Sequence, residues 1–186
     1  MSTDLSLPAL LEELASPREA PAAGSALAVA LAAAAAVVQK AARVSRKSWP
    51  DAVGVAAQAE SLRDRAAQLS AEDAEAYRRY LELAANLKDD TQERRDWALG
   101  QALAAAAEPP LAIVRLAADL ADLCHASAEK VEPRVRADVV AAAALAAGVA
   151  RGGRELVAVN LTALPDDPRV AEADRLAARA AELAGP

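Results

Sequence analysis

The chain has 186 residues, enough for one domain with a hydrophobic core of its own. Hydrophobic residues make up 54% of it and aromatic residues 2%, and much of the apolar share is alanine, which favours helices over strands. The net charge of -6 and the scarcity of aromatic side chains argue against a nucleic-acid partner. We therefore predict a single all-α domain over residues 1–186, built as a helical bundle.

The first predicted element is a short amphipathic helix over residues 7–15, in which Leu10, Leu11 and Leu14 share one face. A loop with two prolines follows, and a second helix is expected to begin near Gly24 or Ser25 and to end near residue 46 or 47. No charged residue occurs between residues 21 and 38, but alanine is too weakly apolar for a membrane span. We predict a buried helix and no membrane contact.

Five further helices are predicted from apolar periodicity and from the prolines that separate them. They cover about residues 51–88, 92–107, 109–131, 136–164 and 168–184. A bend is expected in the first of these near residues 69–73. The last has alternating charges, so we expect a solvated helix outside a core that covers residues 8–164. Trp49 and Trp97 are expected to pack at helix junctions.

Two of the predicted helices are apolar on nearly every face, over residues 26–38 and 139–149. Helices of this kind lie inside a protein, surrounded by others. A chain of this size has difficulty surrounding two of them, so part of their surface is expected to meet a second copy. The small side chains would let helix axes approach closely. We therefore predict a homodimer.

The reactive side chains exclude several kinds of site. A single cysteine, Cys124, excludes an internal disulfide and a thiolate zinc site, and a single histidine, His125, excludes a histidine-rich metal centre. We interpret Cys124 as packed and His125 as partly exposed, and we expect no metal. The first residues, Met1 to Leu5, lack the basic flank of a secretory signal, so a cytoplasmic location is expected.

Five spaced segments carry a resemblance to a known family. They are PAAGS at residues 21–25, LSAEDAEAY at 69–77, EPPL at 108–111, ADVVAA at 137–142 and VAVNL at 157–161. In this order the set resembles the cyclodeaminase/cyclohydrolase family of one-carbon folate metabolism, over about residues 8–164. The resemblance implies an all-helical fold, a homodimer, and a tetrahydrofolate derivative as substrate with no other cofactor. The implied reaction is that of a formiminotetrahydrofolate cyclodeaminase or a methenyltetrahydrofolate cyclohydrolase.

The chain departs from the family pattern at several positions. Ala22 and Ala23 stand where the family usually has glycines, and a methyl group hinders close approach of the backbone to a ligand. Leu156 stands where an asparagine is usual, and Ala137 where a serine is usual. An alternative function follows: a family member that has lost catalysis and acts as a non-enzymatic helical homodimer or interaction protein.

Asp73 is the candidate catalytic residue. The implied reactions need a proton acceptor and donor near one carbon, which a carboxylate with a raised pKa can supply, and Asp73 matches an acidic position of the family. The alternative is that Asp73 only caps a helix segment. Gly24 and Ser25 are candidates for the substrate loop, because amides at a helix start can bind a ligand, although capping explains them equally well.

The remaining candidates would bind the substrate. Asp138 and Asn160 could orient the pterin, since a carboxylate suits guanidine-like edges and a buried amide needs partners. Asp138 is equally typical of a first helical turn, where acids are favoured. Lys40 and Arg43, with Lys47 one turn further, could hold the glutamate tail of a folate, although cations are ordinary at a helix C-terminus.

Overall fold

The computed structural model describes residues 6–88, 90–164 and 166–185, and this part of the chain forms seven α-helices and no strand. The helices are α1 (Leu7–Ala15), α2 (Ala23–Ser45), α3 (Ala52–Asn86), α4 (Gln92–Ala106), α5 (Glu108–Ser127), α6 (Pro133–Asn160) and α7 (Pro168–Ala184). The predicted all-α fold is confirmed.

The helix boundaries follow local signals, and several of them differ from the prediction by a few residues. α1 has the predicted bounds, and its cap Ser6 accepts a hydrogen bond from the Ala9 amide. α3 is one uninterrupted helix through residues 69–73. α5 ends at Ser127, earlier than predicted, and α6 begins at Pro133 instead of Arg136. Proline suits a first helical turn, so Pro133 begins α6 where the prediction used it only to end α5.

The central helix is α2, which packs against α3, α5 and α6. Alanines dominate its buried face, and Ala28, Ala34 and Ala35 have no exposed surface. Among the described residues, α2 is the helix whose length and composition would also suit a membrane span, but half of its most apolar window is buried inside the protein. Its burial among three helices agrees with the prediction of a core helix.

α6 divides its surface between the core and solvent. Val139, Ala142 and Ala146 are buried, whereas Val140 and Leu145 are 49% and 50% exposed on the outer side. The outer side of α6 is therefore an apolar surface that this chain alone does not cover.

α7 packs against α6 and α5, so its inner side belongs to the core. Ala173 and Ala180 are fully buried there. Four ion pairs connect it to α5 and α6: Arg115–Glu172 at 2.7 Å, Arg154–Asp174 at 2.5 Å, Arg169–Glu108 at 2.7 Å and Arg179–Asp122 at 2.8 Å. The predicted solvated helix is thus solvated on one side only.

The two tryptophans have different environments. Trp49 is buried at the junction between α2 and α3, as predicted, whereas Trp97 is 70% exposed on α4, so the prediction for Trp97 is wrong. The cause is the sparse packing of α4, which buries only Ala106. Cys124 is buried and His125 exposed, and burial raises the pKa of the Cys124 thiol to about 12.

Candidate functional site

A cavity of about 250 Å³ lies where the start of α2, the middle of α3, the α4–α5 junction and the end of α6 meet. Its lining residues come from five segments: Glu19, Ala20, Ala22, Ala23, Gly24, Asp73, Ala74, Tyr77, Ala106, Pro110, Leu156, Val159 and Asn160. Three of the candidate site residues, Gly24, Asp73 and Asn160, therefore line one cavity.

The carboxyl group of Asp73 lies directly against the backbone at the start of α2. A Cβ atom at Gly24 would lie 2.1 Å from Asp73 Oδ1, so this approach requires a glycine. The Ser25 hydroxyl lies 3.2 Å from Asp73 Oδ2 and 2.9 Å from the Ser70 carbonyl oxygen. The N-cap of α2, Ala22, has no side-chain cap, so a carboxylate from α3 occupies the position that a capping group usually fills.

Burial raises the pKa of Asp73 above its ordinary value. The Ser25 hydroxyl and backbone amide oppose this rise because they favour the ionised form, but burial is the larger effect. Asp73 makes no ion pair with any described residue. A carboxyl group that is desolvated and lacks a cationic partner is well suited to hold and release a proton.

Asn160 presents an amide to another part of the cavity. Its Nδ2 donates a hydrogen bond of 3.0 Å to the Ala106 carbonyl oxygen at the end of α4. This bond fixes the plane of the amide and leaves its Oδ1 available as an acceptor. Asn160 can therefore bind a donor edge of a ligand.

The rest of the wall is mostly apolar. Tyr77, Leu156 and Val159 contribute large side chains, and the ring of Tyr77 stacks on Tyr80 with 5.8 Å between ring centroids. Glu19 at the rim is the only other acid among the lining residues, and none of them is basic. An apolar wall with one carboxyl and one amide suits a flat ring that has a polar edge.

Comparison with known proteins identifies the family. A model of the formiminotransferase-cyclodeaminase family matches residues 6–179. The chain belongs to this family. Its fold is also similar to that of formiminotetrahydrofolate cyclodeaminase from Thermotoga maritima, with a TM-score of 0.83, 97% of this chain and 94% of that chain covered, and 22% sequence identity. No curated protein matches the chain in sequence.

Ser25 contacts Asp73 at the cavity of this cyclodeaminase-family chain, whereas Lys40, Arg43 and Asp138 lie away from it. Lys40 Nζ and Asp138 Oδ2 form an ion pair of 3.1 Å, and Arg43 lies 3.7 Å from Glu60. Asp138 precedes Asn160 by 22 residues on α6, a separation of about 33 Å along a helix. One chain therefore does not bring Asp138 and Asn160 to the same ring, and substrate contacts of Lys40, Arg43 and Asp138 stay predictions.

Tyr77, Leu156 and Glu19 line the cavity but were not predicted as site residues, and the same is true of the alanines, the proline and the valine of its wall. Tyr77 follows Asp73 by one helical turn, and Leu156 precedes Asn160 by one turn, so each shares a helix face with a predicted residue. That i, i+4 relation was the available signal. Glu19, in the loop before α2, had no such signal. Among the described residues, no group of three His, Cys, Asp or Glu side chains could hold a metal ion.

Proposed function

We propose that this protein acts on a tetrahydrofolate derivative as a formiminotetrahydrofolate cyclodeaminase, with Asp73 as the acid/base. The observation that carries the proposal is the buried carboxyl group of Asp73, which lacks a cation and lies on the wall of a cavity beside Gly24. Family membership and the likeness to the Thermotoga maritima enzyme support this substrate class.

The proposed reaction requires mainly a proton donor and acceptor held close to the reacting carbon. In the cyclodeaminase reaction, N10 of the folate attacks the formimino carbon and loses its proton, and the formimino nitrogen must be protonated to leave as ammonia. Asp73 supplies that proton from its neutral form, and its carboxylate takes up the proton that N10 loses, so the neutral form is regenerated. Asn160 accepts a hydrogen bond from the pterin edge, while Tyr77 and Leu156 pack against the ring. A cytoplasmic location belongs to the same proposal.

Two other functions are compatible with this cavity. A methenyltetrahydrofolate cyclohydrolase would use the same carboxyl group to activate water. A non-catalytic family member is favoured by one observation, the presence of the apolar Leu156 on the wall where the family pattern has an amide. Binding and turnover measurements separate these three possibilities.

The first experiment is calorimetric titration with 5-formyltetrahydrofolate, a stable analogue, for the wild type and Asp73→Ala. We expect binding in the micromolar range for the wild type and weaker binding for the variant. Turnover of the formimino substrate would then produce methenyltetrahydrofolate and ammonia, whereas a cyclohydrolase would consume the methenyl compound. A folded wild type that shows no binding at millimolar ligand would contradict the enzyme proposal and favour the non-catalytic alternative.

A homodimer through the outer side of α6 is the second part of the proposal. Val140, Ala144 and Leu145 expose an apolar surface, with Asp138 toward one end of it and the exposed Arg151 toward the other. In an antiparallel pair with a twofold axis near Ala144, each Asp138 approaches the partner's Arg151, so the surface is complementary to itself. A second copy therefore suits both its apolar character and its charges.

Light scattering after gel filtration tests the dimer. We expect the wild type to be a dimer and Leu145→Glu to be a monomer, because a charge would be buried in the interface. Val53→Glu is the matched control, since Val53 is also exposed but lies on α3. A monomeric wild type, or dissociation by both substitutions, would exclude this interface.

A further inference from the structure

The Ser25 hydroxyl has one proton to donate, but two hydrogen-bond acceptors lie within reach of it. Ser25 has no exposed surface, and its Oγ lies within hydrogen-bond distance of the Ser70 carbonyl oxygen, at 2.9 Å, and of Asp73 Oδ2, at 3.2 Å. A hydroxyl carries one proton, whereas a carbonyl and an ionised carboxylate are both acceptors only. When Asp73 is ionised, one of the two acceptors must therefore lack the Ser25 proton.

Protonation of Asp73 removes this conflict. A neutral carboxyl group can donate its own proton to Ser25 Oγ, and Ser25 then donates to the Ser70 carbonyl oxygen. The Ser25 hydroxyl then accepts from Asp73 and donates to Ser70, so both of its contacts are hydrogen bonds. After Asp73 loses its proton, the hydroxyl stabilises the carboxylate only by rotating away from Ser70 and donating to Oδ2.

We propose that Ser25 is a positioning residue for Asp73, whose hydroxyl rotates between the Ser70 carbonyl and the carboxyl group as Asp73 gains and loses its proton. Ser25 keeps its own proton throughout, and the transferred proton moves only between Asp73 and the reacting molecule. The catalytic meaning of this rotation rests on the proposed acid/base function of Asp73, whereas the rotation itself rests on the geometry.

The local structure leaves this rotation as the main response to ionisation. Gly24 places no side chain between the α2 backbone and the carboxyl group, so Asp73 stays against Ser25. The other titratable side chains that line the cavity are Glu19 from the rim loop and Tyr77 from α3, and the lining residues of α5 and α6 carry no charge. No cation among the lining residues can replace the hydroxyl as a partner of the carboxylate.

The test is an NMR titration of the Asp73 carboxyl carbon in protein labelled with ¹³C at aspartate, and Asp73→Asn identifies the signal. Ser25→Ala removes the hydroxyl, and Ser25→Thr keeps one. Ser45→Ala is the matched control: Ser45 also lies on α2 without exposed surface, and its hydroxyl bonds to the Ala41 carbonyl at 2.9 Å and the Glu132 amide at 2.8 Å. It is 20 residues, or about 30 Å, further along the helix.

We expect the Ser25→Ala protein to titrate Asp73 at higher pH than the wild type, because the hydrogen bond lost by the ionised carboxylate is stronger than the one lost by the neutral carboxyl group. Ser25→Thr and Ser45→Ala should titrate close to the wild type. A Ser25→Ala titration at the wild-type pH, or at lower pH, would overturn the proposal. If Ser25→Thr does not fold, the comparison of Ser25→Ala with Ser45→Ala still decides the result.

A kinetic measurement separates this inference from the proposed function. With an active wild type, Ser25→Ala should lower kcat about tenfold, because the carboxyl group loses the hydroxyl that positions it, and should move the pH–rate profile to higher pH, while Ser45→Ala should do neither. A wild type without activity but with the shifted titration would refute the function and keep the role of Ser25. An active wild type whose Ser25→Ala titration is unchanged would refute the role and keep the function.

Discussion

α2 and α6 pack antiparallel to each other, and a carboxylate lies near each end of their contact. Asp73 of α3 lies at one end and Asp138 of α6 at the other, in opposite environments. At the start of α2, Asp73 is buried beside Gly24 and faces a cavity without a basic residue. Near the other end, Asp138 is partly exposed and pairs with Lys40 at 3.1 Å. The comparison shows that desolvation without a cation, and not the presence of an acid near a helix start, marks the carboxyl group suited to proton transfer.

The largest expected effect is on kcat, and it should differ between substitutions of Asp73 and Asp138. Asp73→Asn should lower kcat by about 10²- to 10⁴-fold, because the substituted amide cannot exchange a proton with the substrate. Asp138→Asn should change kcat by less than about threefold, because Asp138 lies outside the cavity of its own chain. Steady-state kinetics on the formimino substrate measure both effects. An equal loss in the two variants would show that Asp138 also takes part in the site.

The next effect concerns the space that Asp73 occupies. Gly24→Ala should displace the carboxyl group, since the new Cβ would lie 2.1 Å from Oδ1, and should lower kcat by about 10- to 100-fold. The clash should also destabilise the fold by about 1–3 kcal/mol. Gly100→Ala on α4 is the control, because a Cβ there meets nothing within 4 Å. It should stabilise the fold by about 0.5–1 kcal/mol and leave kcat unchanged.

A smaller effect is the pH dependence of stability. Because the folded-state pKa of Asp73 is raised, its contribution to stability is present below the unfolded-state pKa and is lost as the pH rises through the folded-state pKa. Asparagine resembles the neutral carboxyl group, so Asp73→Asn should melt above the wild type at about pH 8, with the difference shrinking toward about pH 4. Thermal melts across this range measure the difference. A difference in melting temperature that does not change between about pH 4 and pH 8 would contradict a raised pKa.

The smallest effect is expected at the Lys40–Asp138 ion pair. Both side chains are partly exposed, so their coupling energy should be about 0–1 kcal/mol and should fall as salt is added. A double-mutant cycle with Lys40→Met and Asp138→Asn, followed by denaturant unfolding, measures it. A salt-independent coupling energy above about 2 kcal/mol would mean that the Lys40–Asp138 pair is as well shielded from water as Asp73 is in the cavity.

Local signals in the sequence predicted the helices and part of the site. The bounds of α1 follow from its leucine spacing and its serine cap, and the motif around Asp73 carried the family resemblance that the family match confirms. The helical periodicity of α3 also places Tyr77 one turn after Asp73, on the same face of the helix. Sequence reasoning about the site worked best where residues share a helix face.

Contacts between helices were beyond the reach of the sequence. The need for glycine at position 24 arises only because α3 crosses the start of α2 and brings Asp73 there. Ser25 was predicted as a residue of the substrate loop, with capping of its own helix as the alternative, and the sequence did not reveal that its hydroxyl contacts α3. Asp138 was predicted to bind the substrate on which Asp73 acts, but the antiparallel packing of α2 and α6 places it at the other end of their contact, beside Lys40.

The alanine packing of α2 restricts how the sequence of this protein can change over evolution. Ala28, Ala34 and Ala35 touch neighbouring helices through a single methyl group and have no exposed surface. A change to glycine costs about 1 kcal/mol of helix propensity, and any larger side chain must push a neighbouring helix away. Neutral drift along α2 is therefore confined to its outer positions. α2 begins at the cavity, so substitutions at its exposed positions can accumulate while the shape of the site stays the same.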